Sequence, residues 1–206
     1  MEIPDLQTIL LRLAAIGGGL VAWFATQRLI GARSVGEGVL YDHLHVVTAR
    51  WNAWLQGHPK VADAILVASS LCVDAVTLFV LVLAVFGPSF TPFWGLLALF
   101  ALRQIAQAAA ALPAPPGIIW RHPGCPSLFV TYSVGNDFFF SGHTALAVYG
   151  AMQLATLHVP ALTALGIVVA VLQVVAVIVL RAHWTIDVLA GLFAAIGVGV
   201  LVLPPA

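Results

Sequence analysis

The sequence predicts an all-α, polytopic integral membrane protein with six transmembrane helices and one interfacial helix between the first and the second. The first observation is composition, because 62% of the 206 residues are hydrophobic and only 8% are charged. A soluble domain carries about 25% charged residues, so most of this surface must face lipid. The second observation is a series of long apolar runs, since a membrane-crossing helix needs about 20 mostly apolar residues.

Two long connections separate predicted spans: residues 30–61 after the first span, and a connection that contains a Pro/Gly-rich stretch at Leu112–Pro126 after the third. Three glycines in the first span allow a neighbouring helix to approach closely. The tight turn His158-Val159-Pro160 separates the fourth span from the fifth. The predicted spans are Thr8–Leu29, Ala62–Phe86, Phe93–Leu112, Ser141–Leu157, Ala161–Leu180 and Trp184–Leu203.

The segment Gly38–His58 mixes tryptophans and histidines with apolar residues, which suits a helix lying in the headgroup layer. We expect one domain over residues 1–206, without repeats and without a cleaved signal peptide. The net charge of zero argues against a nucleic-acid partner. Cys72 and Cys125 lie in unlike surroundings and are expected to be free thiols.

The first chemical motif is His183-Trp184-Thr185-Ile186-Asp187. A spacing of four residues places His183 and Asp187 on one helical face. A carboxylate that orients one imidazole nitrogen leaves the other free to act as a nucleophile. The alternative is a polar pair that only locks two helices together.

The second motif is Asp137-Phe138-Phe139-Phe140-Ser141-Gly142-His143-Thr144. Ser141 is a natural helix cap, and Gly142 leaves room beside the backbone. A helix N-terminus favours a phosphate, and His143 lies where it can protonate a leaving oxygen. A plain capped helix with an interfacial histidine is the alternative. Six spans place both motifs on one membrane side, which favours catalysis.

The pair Ser141-Gly142-His143 and His183-x-x-x-Asp187 resembles the type 2 phosphatidic acid phosphatase (PAP2) superfamily. Phe140 replaces that superfamily's usual proline, and Val177 replaces its arginine six residues before the second histidine. The segments Asp137–Thr144 and His183–Val188 look instead like motifs of the sphingomyelin synthase branch. Upstream, Arg103, Leu112–Gly117 and Cys125-Pro126 are similar to further segments of that branch.

This resemblance implies a two-step headgroup transfer that uses neither a metal ion nor a cofactor. His183, oriented by Asp187, would attack a phospholipid phosphorus, and His143 would protonate the departing diacylglycerol. Ceramide or a related lipid alcohol would accept the phosphocholine or phosphoethanolamine group. Asp137 would hold or tune His143. The oligomeric state stays open.

Arginines are the residues expected to neutralise the phosphate. Arg103 is the first candidate because an unpaired guanidinium within a span is costly. Arg121 and Arg181 follow, with headgroup anchoring as their alternative role, while Ser141 and Gly142 would contact the phosphate at the helix start. Asp63 and Asp74 share a face of the second span, where bonding to nearby serines or threonines competes with a functional role.

Three rival functions remain at this point. A lipid phosphatase or phospholipase C-like hydrolase would use water as the acceptor. A membrane cytochrome would need facing histidines at one depth, and a transporter would need polar lining that the spans lack.

Membrane orientation is ambiguous. The positive-inside rule places the site in the cytoplasm, since most cations flank its side. The resemblance implies a bacterial inner membrane with the site facing the periplasm. The cations on the site's side are Arg28, Arg33, Arg50, Lys60, Arg121 and Arg181, against Arg12 on the other side.

Overall fold

The computed structural model describes residues 4–31, 40–130, 132 and 138–203. The described part is all-helical, with 75% of its residues in helices and no strand. Two short helices follow the first long one, and five longer helices complete the described part. The helices are α1 (Leu6–Gly31), α2 (His43–Val47), α3 (Ala49–Gly57), α4 (Pro59–Phe86), α5 (Thr91–Ala109), α6 (Gly142–Ala155), α7 (Pro160–Val179) and α8 (Thr185–Val202).

Four of the described helices, rather than the predicted six, are long and apolar enough to cross a membrane: α1, α4, α7 and α8. The predicted third and fourth spans correspond to α5 and α6. Arg103, Gln104 and Gln107 interrupt the apolar run of α5. With 14 residues, α6 is shorter than the roughly 20 residues that a crossing needs. The prediction of six spans was therefore wrong, although the protein is an integral membrane protein.

The segment predicted as one interfacial helix forms two helices that meet at Thr48. Trp51 and Trp54 on α3 are exposed, whereas Asn52 is buried. The Asn52 amide donates hydrogen bonds to the carbonyls of Val179 (2.9 Å) and Gly117 (3.1 Å). These bonds fix α3 against the end of α7. Its placement in the headgroup layer remains a prediction.

The main core lies between α4, α5, α6 and α8, with Tyr149 fully buried at its centre. The Tyr149 hydroxyl donates to the carbonyl of Pro92 (3.1 Å) and accepts from the Gln153 amide (2.8 Å). Gly95 leaves the space that this hydroxyl occupies. The polar end of the tyrosine is thus satisfied inside an apolar core, as a buried hydroxyl requires.

Asp74 of α4 anchors the long segment between α5 and α6. Its buried carboxylate accepts hydrogen bonds from the Ser127 hydroxyl (2.9 and 3.0 Å) and from the backbone N–H groups of Leu128 and Phe129 (both 3.0 Å). A carboxylate inside an apolar span is costly unless it is paired in this way. Asp74 therefore has a structural role, and one of its partners is a serine, as the sequence alternative proposed.

Helices α6 and α8 meet closely at their N-terminal ends. The Ser141 N–H donates to the Asp187 carbonyl (2.9 Å), which joins the starts of the two helices. Gly191 permits this approach, because a Cβ there would lie 2.5 Å from the Ser141 carbonyl oxygen. The two free cysteines, Cys72 and Cys125, take no part in these contacts, and the expectation of free thiols is confirmed.

Replacement of Asp74 by alanine is expected to destabilise the protein strongly. The Leu128 and Phe129 N–H groups would lose their acceptor, and each unpaired buried N–H costs about 1–3 kcal/mol, or about 2–6 kcal/mol in total. Thermal melting of the detergent-purified protein measures the loss. Asp63→Ala is the control, because its half-exposed ion pair with Arg121 contributes about 0–1 kcal/mol. Equal melting temperatures for both variants would contradict the anchoring role.

Gly191→Ala is expected to push α6 and α8 apart and to cost about 1–3 kcal/mol through overpacking. Gly197→Ala on the same helix is a matched control, because a Cβ at Gly197 meets nothing within 4 Å. Melting temperatures should fall for Gly191→Ala and stay level or rise for Gly197→Ala. The same fall in both variants would contradict the role of the close approach, because alanine raises helix propensity at both positions and only Gly191 contacts α6.

Candidate active site

His183 lies in the short link between α7 and α8. Arg181 turns this link through a left-handed conformation (φ 57°), and Trp184 caps the start of α8. The Asp187 carboxylate accepts a hydrogen bond from the Trp184 N–H (2.9 Å). Asp187 therefore closes a capping interaction at the helix start, which fixes the residue next to His183.

The His183 ring makes its hydrogen bond with a backbone carbonyl. Nδ1 lies 2.9 Å from the Phe138 carbonyl oxygen and 3.7 Å from Oδ2 of Asp187. A carbonyl oxygen only accepts, so Nδ1 carries the proton and Nε2 of the neutral ring has the free lone pair. The sequence reading assigned this orienting bond to Asp187. In the structure Phe138 makes it, and Asp187 contributes a nearby negative charge.

His143 lies in the first turn of α6, on the other side of the same cavity. Ser141 caps this helix by accepting bonds from the Thr144 N–H (3.3 Å) and the Thr144 hydroxyl (3.1 Å). Nε2 of His143 is buried and has no hydrogen-bond partner among the described residues. Trp120 packs edge-on against the ring at 5.2 Å. An unsatisfied imidazole nitrogen in a buried site is open to a ligand.

The two imidazoles line one cavity of about 50 Å³. Their ring centres are 6.5 Å apart, and the rings are inclined at 55°. Both residues are buried, at 8% and 6% exposure. The cavity lining combines these histidines with Arg103, with the backbone at Gly142 and with aromatic side chains, namely Trp23, Phe100, Trp120, Phe129 and Phe138.

Of the three predicted arginines, the cavity contains Arg103. Its Nε donates to the Phe140 carbonyl (3.2 Å) and its Nη1 to the Gln27 side chain (3.3 Å). Nε of Arg103 also lies 3.3 Å from where a Cβ of Gly142 would be. The guanidinium thus packs against the start of α6, beside His143.

Arg121 and Arg181 do not line the cavity. Arg121 is half-exposed and forms an ion pair with Asp63 (2.7 Å). Arg181 is buried, and its Nη2 donates to the His45 carbonyl (2.6 Å). Burial lowers the pKa of Arg181 below its ordinary value. In this structure Arg121 and Arg181 hold segments of the fold together, outside the cavity that the two histidines line.

The candidate residue Asp137 lies outside the described residues. Its proposed link to His143 therefore stays a prediction from the sequence. Sequence reasoning also missed two residues near the site, Asp42 and His45. His45 belongs to the segment predicted to lie in the headgroup layer, but its side chain is almost completely buried against the α7–α8 link. Its wide sequence separation from His183 left no local signal for this contact.

A comparison with protein-family models matches residues 41–203 to AtPDCT1/2, a family of phosphatidylcholine:diacylglycerol cholinephosphotransferases. No curated protein and no solved structure matches the chain. The expectation of an enzyme that transfers a phospholipid headgroup within the membrane is confirmed in this coarse form.

The finer resemblance to the sphingomyelin synthase branch of the PAP2 superfamily was wrong, because the match is to AtPDCT1/2 and no PAP2 family matches. Short motifs such as Ser141-Gly142-His143 indicate phosphoryl transfer, but they do not distinguish between families that share this chemistry. Ceramide consequently loses its support as the acceptor. AtPDCT1/2 is a plant family, so the bacterial inner membrane with a periplasmic site is unsupported as well.

Proposed function

The chain belongs to the AtPDCT1/2 family, and we propose that it transfers phosphocholine from phosphatidylcholine to a diacylglycerol acceptor within the membrane. One observation carries the proposal: His143 and His183, from separate elements, line one buried cavity with ring centres 6.5 Å apart. Two imidazoles that flank one phosphorus atom supply both a nucleophile and a proton carrier.

The first half-reaction forms a phosphohistidine. Nε2 of His183 attacks phosphorus, the new P–N bond forms, and the P–O bond to diacylglycerol breaks. His143 gives its proton to the departing oxygen, which leaves as the diacylglycerol hydroxyl. The bound phosphodiester anion favours the protonated form of His143 that this step requires.

The second half-reaction runs the same steps in reverse with a new diacylglycerol. His143, now neutral, takes the proton of the acceptor hydroxyl. The acceptor oxygen attacks phosphorus, the P–N bond breaks, and His183 returns to its neutral form. Asp187, at 3.7 Å from Nδ1, stabilises the positive charge that His183 gains while it is phosphorylated.

Arg103 and the start of α6 neutralise the phosphate in this proposal. The guanidinium lies against Gly142, and the first N–H groups of a helix attract anions. Both groups are in place before the substrate enters, which is the arrangement that stabilises charge most effectively.

Aromatic side chains favour choline as the headgroup. A trimethylammonium group donates no strong hydrogen bond and binds the faces of aromatic rings. Five aromatic residues line the cavity, and no carboxylate is present among its described lining residues. Trp23 and Phe100 pack at 5.3 Å and present a continuous aromatic wall.

His183→Ala is expected to abolish transfer, because it removes the nucleophile. His143→Ala should lower the rate by about 10²–10⁴-fold, the usual contribution of a positioned acid–base group. The assay incubates purified protein in nanodiscs with phosphatidylcholine and isotope-labelled diacylglycerol. Mass spectrometry then detects phosphatidylcholine that contains the labelled diacylglycerol.

His158→Asn is the matched control, because His158 lies in the turn before α7, and asparagine tolerates its left-handed backbone (φ 53°). This variant should keep wild-type activity. Full transfer by His183→Ala would end the nucleophile assignment. Release of free phosphocholine without labelled product would make the protein a hydrolase, and transfer to added ceramide alone would exclude diacylglycerol as the acceptor.

Transfer is expected to continue in excess EDTA, since Arg103 and the α6 N-terminus supply the positive charge that the phosphate needs. The measurement compares rates before and after chelation and dialysis. Loss of activity that added magnesium restores would contradict the proposed charge neutralisation.

A further inference from the structure

Asp42 lies just before α2 and caps two helices at once. Its carboxylate accepts from the His45 N–H in α2 (3.1 Å) and from both the N–H (2.6 Å) and the hydroxyl (2.7 Å) of Thr185 in α8. The first N–H groups of a helix have no partner within that helix, so Asp42 supplies one to each. Residues 42 and 185 are thereby joined next to His183.

His45 holds the same link at the next positions. Its Nε2 donates to the His183 carbonyl (3.0 Å), and its ring stacks on Trp184 with centres 5.4 Å apart. Arg181 donates back to the His45 carbonyl (2.6 Å). The link therefore contacts Asp42 or His45 at four residues, through the backbone of His183 and Thr185 and through the side chains of Arg181 and Trp184.

The charge state of this contact is set by its surroundings. Burial raises the pKa of Asp42, but the hydrogen bonds from Thr185 and His45 outweigh it and hold the pKa below its ordinary value. Burial lowers the pKa of His45, and the nearby Arg181 adds to this effect against the opposing charge of Asp42. At neutral pH Asp42 is charged and His45 is neutral, which matches their roles as acceptor and donor.

We propose that Asp42 and His45 are positioning residues for the transfer reaction, holding the α7–α8 link so that Nε2 of His183 points at the phosphorus atom. Neither residue lines the cavity, so both act through His183. The inference rests on the proposed function. The segment that matches the family begins at residue 41 and so includes α2. The inference gives α2 the role of positioning His183.

The test measures single-turnover rate constants for Asp42→Asn and His45→Phe, with enzyme in excess over labelled phosphatidylcholine. A small misplacement of a nucleophile costs up to about 10²-fold in rate, so we expect rate constants to fall by about 10- to 100-fold. His45→Gln, which retains an N–H donor, should recover part of the loss. A residue that only stabilised the fold would lower the active fraction and leave this rate constant unchanged.

Two matched controls lie away from the site. His58 stacks on Trp54 as His45 stacks on Trp184, and Asp5 caps α1 as Asp42 caps α2. His58→Phe and Asp5→Asn should retain the wild-type rate constant. If Asp42→Asn fails to fold, Thr185→Val removes one bond to Asp42, and Thr185→Ser restores it; the rate constant should fall and recover accordingly.

The outcomes separate this inference from the proposed function. If His183→Ala is inactive while Asp42→Asn, His45→Phe and Thr185→Val match their controls, positioning is wrong and the transfer mechanism survives. If His183→Ala remains active, the mechanism itself fails, whatever the other variants show. Slow single turnover in the Asp42 and His45 variants, together with an inactive His183→Ala, supports both the positioning role and the transfer mechanism.

Discussion

The contact between Ser141 and Asp187 is the constraint on which the site depends. It ties the start of α6 to the start of α8 through a backbone hydrogen bond of 2.9 Å, and Gly191 provides the space for it. His143 lies in the first turn of α6, and His183 lies in the link just before the start of α8. Joining the two helix starts therefore brings both imidazoles to one cavity.

The helix N-termini also explain why polar side chains cluster around the cavity. The unpaired N–H groups of α6 and α8 need acceptors, and the apolar spans offer few. The side chains that accept hydrogen bonds from these groups are those of Ser141, Asp187 and Asp42. Each of them accepts at least one hydrogen bond from a residue that is a histidine or is adjacent to one in the sequence. Structural capping and the proposed catalysis thus use one set of residues, with Asp74 fixing the loop that closes the cavity.

Local patterns in the sequence predicted the parts of the site that depend on local spacing. The cap at Ser141 and the apolar runs indicated the helices found there, whereas His183 lies in the link before α8 and not on the helical face that its four-residue spacing from Asp187 predicted. The contacts of Asp42 with Thr185 and of Phe138 with His183 join residues far apart in the chain, and no local pattern encodes them. The count of six spans failed because Arg103, Gln104 and Gln107 interrupt the apolar run of α5 and because α6 has only 14 residues.

For the proposed reaction, water is a more serious competitor than the wrong lipid. Diacylglycerol leaves in the first half-reaction and diacylglycerol enters in the second, so the bonds broken and formed are the same and the overall free-energy change is close to zero. Hydrolysis of a phosphohistidine, in contrast, is downhill and irreversible. The site must therefore slow the attack of water on the phosphohistidine, whereas the transfer itself needs no driving force. A small cavity walled by Trp23, Phe100 and Trp120 meets that requirement, because it leaves little room for water. The buried, aromatic surroundings of His143 and His183 thus follow from the energetics of exchange, and they suit a transferase better than a hydrolase.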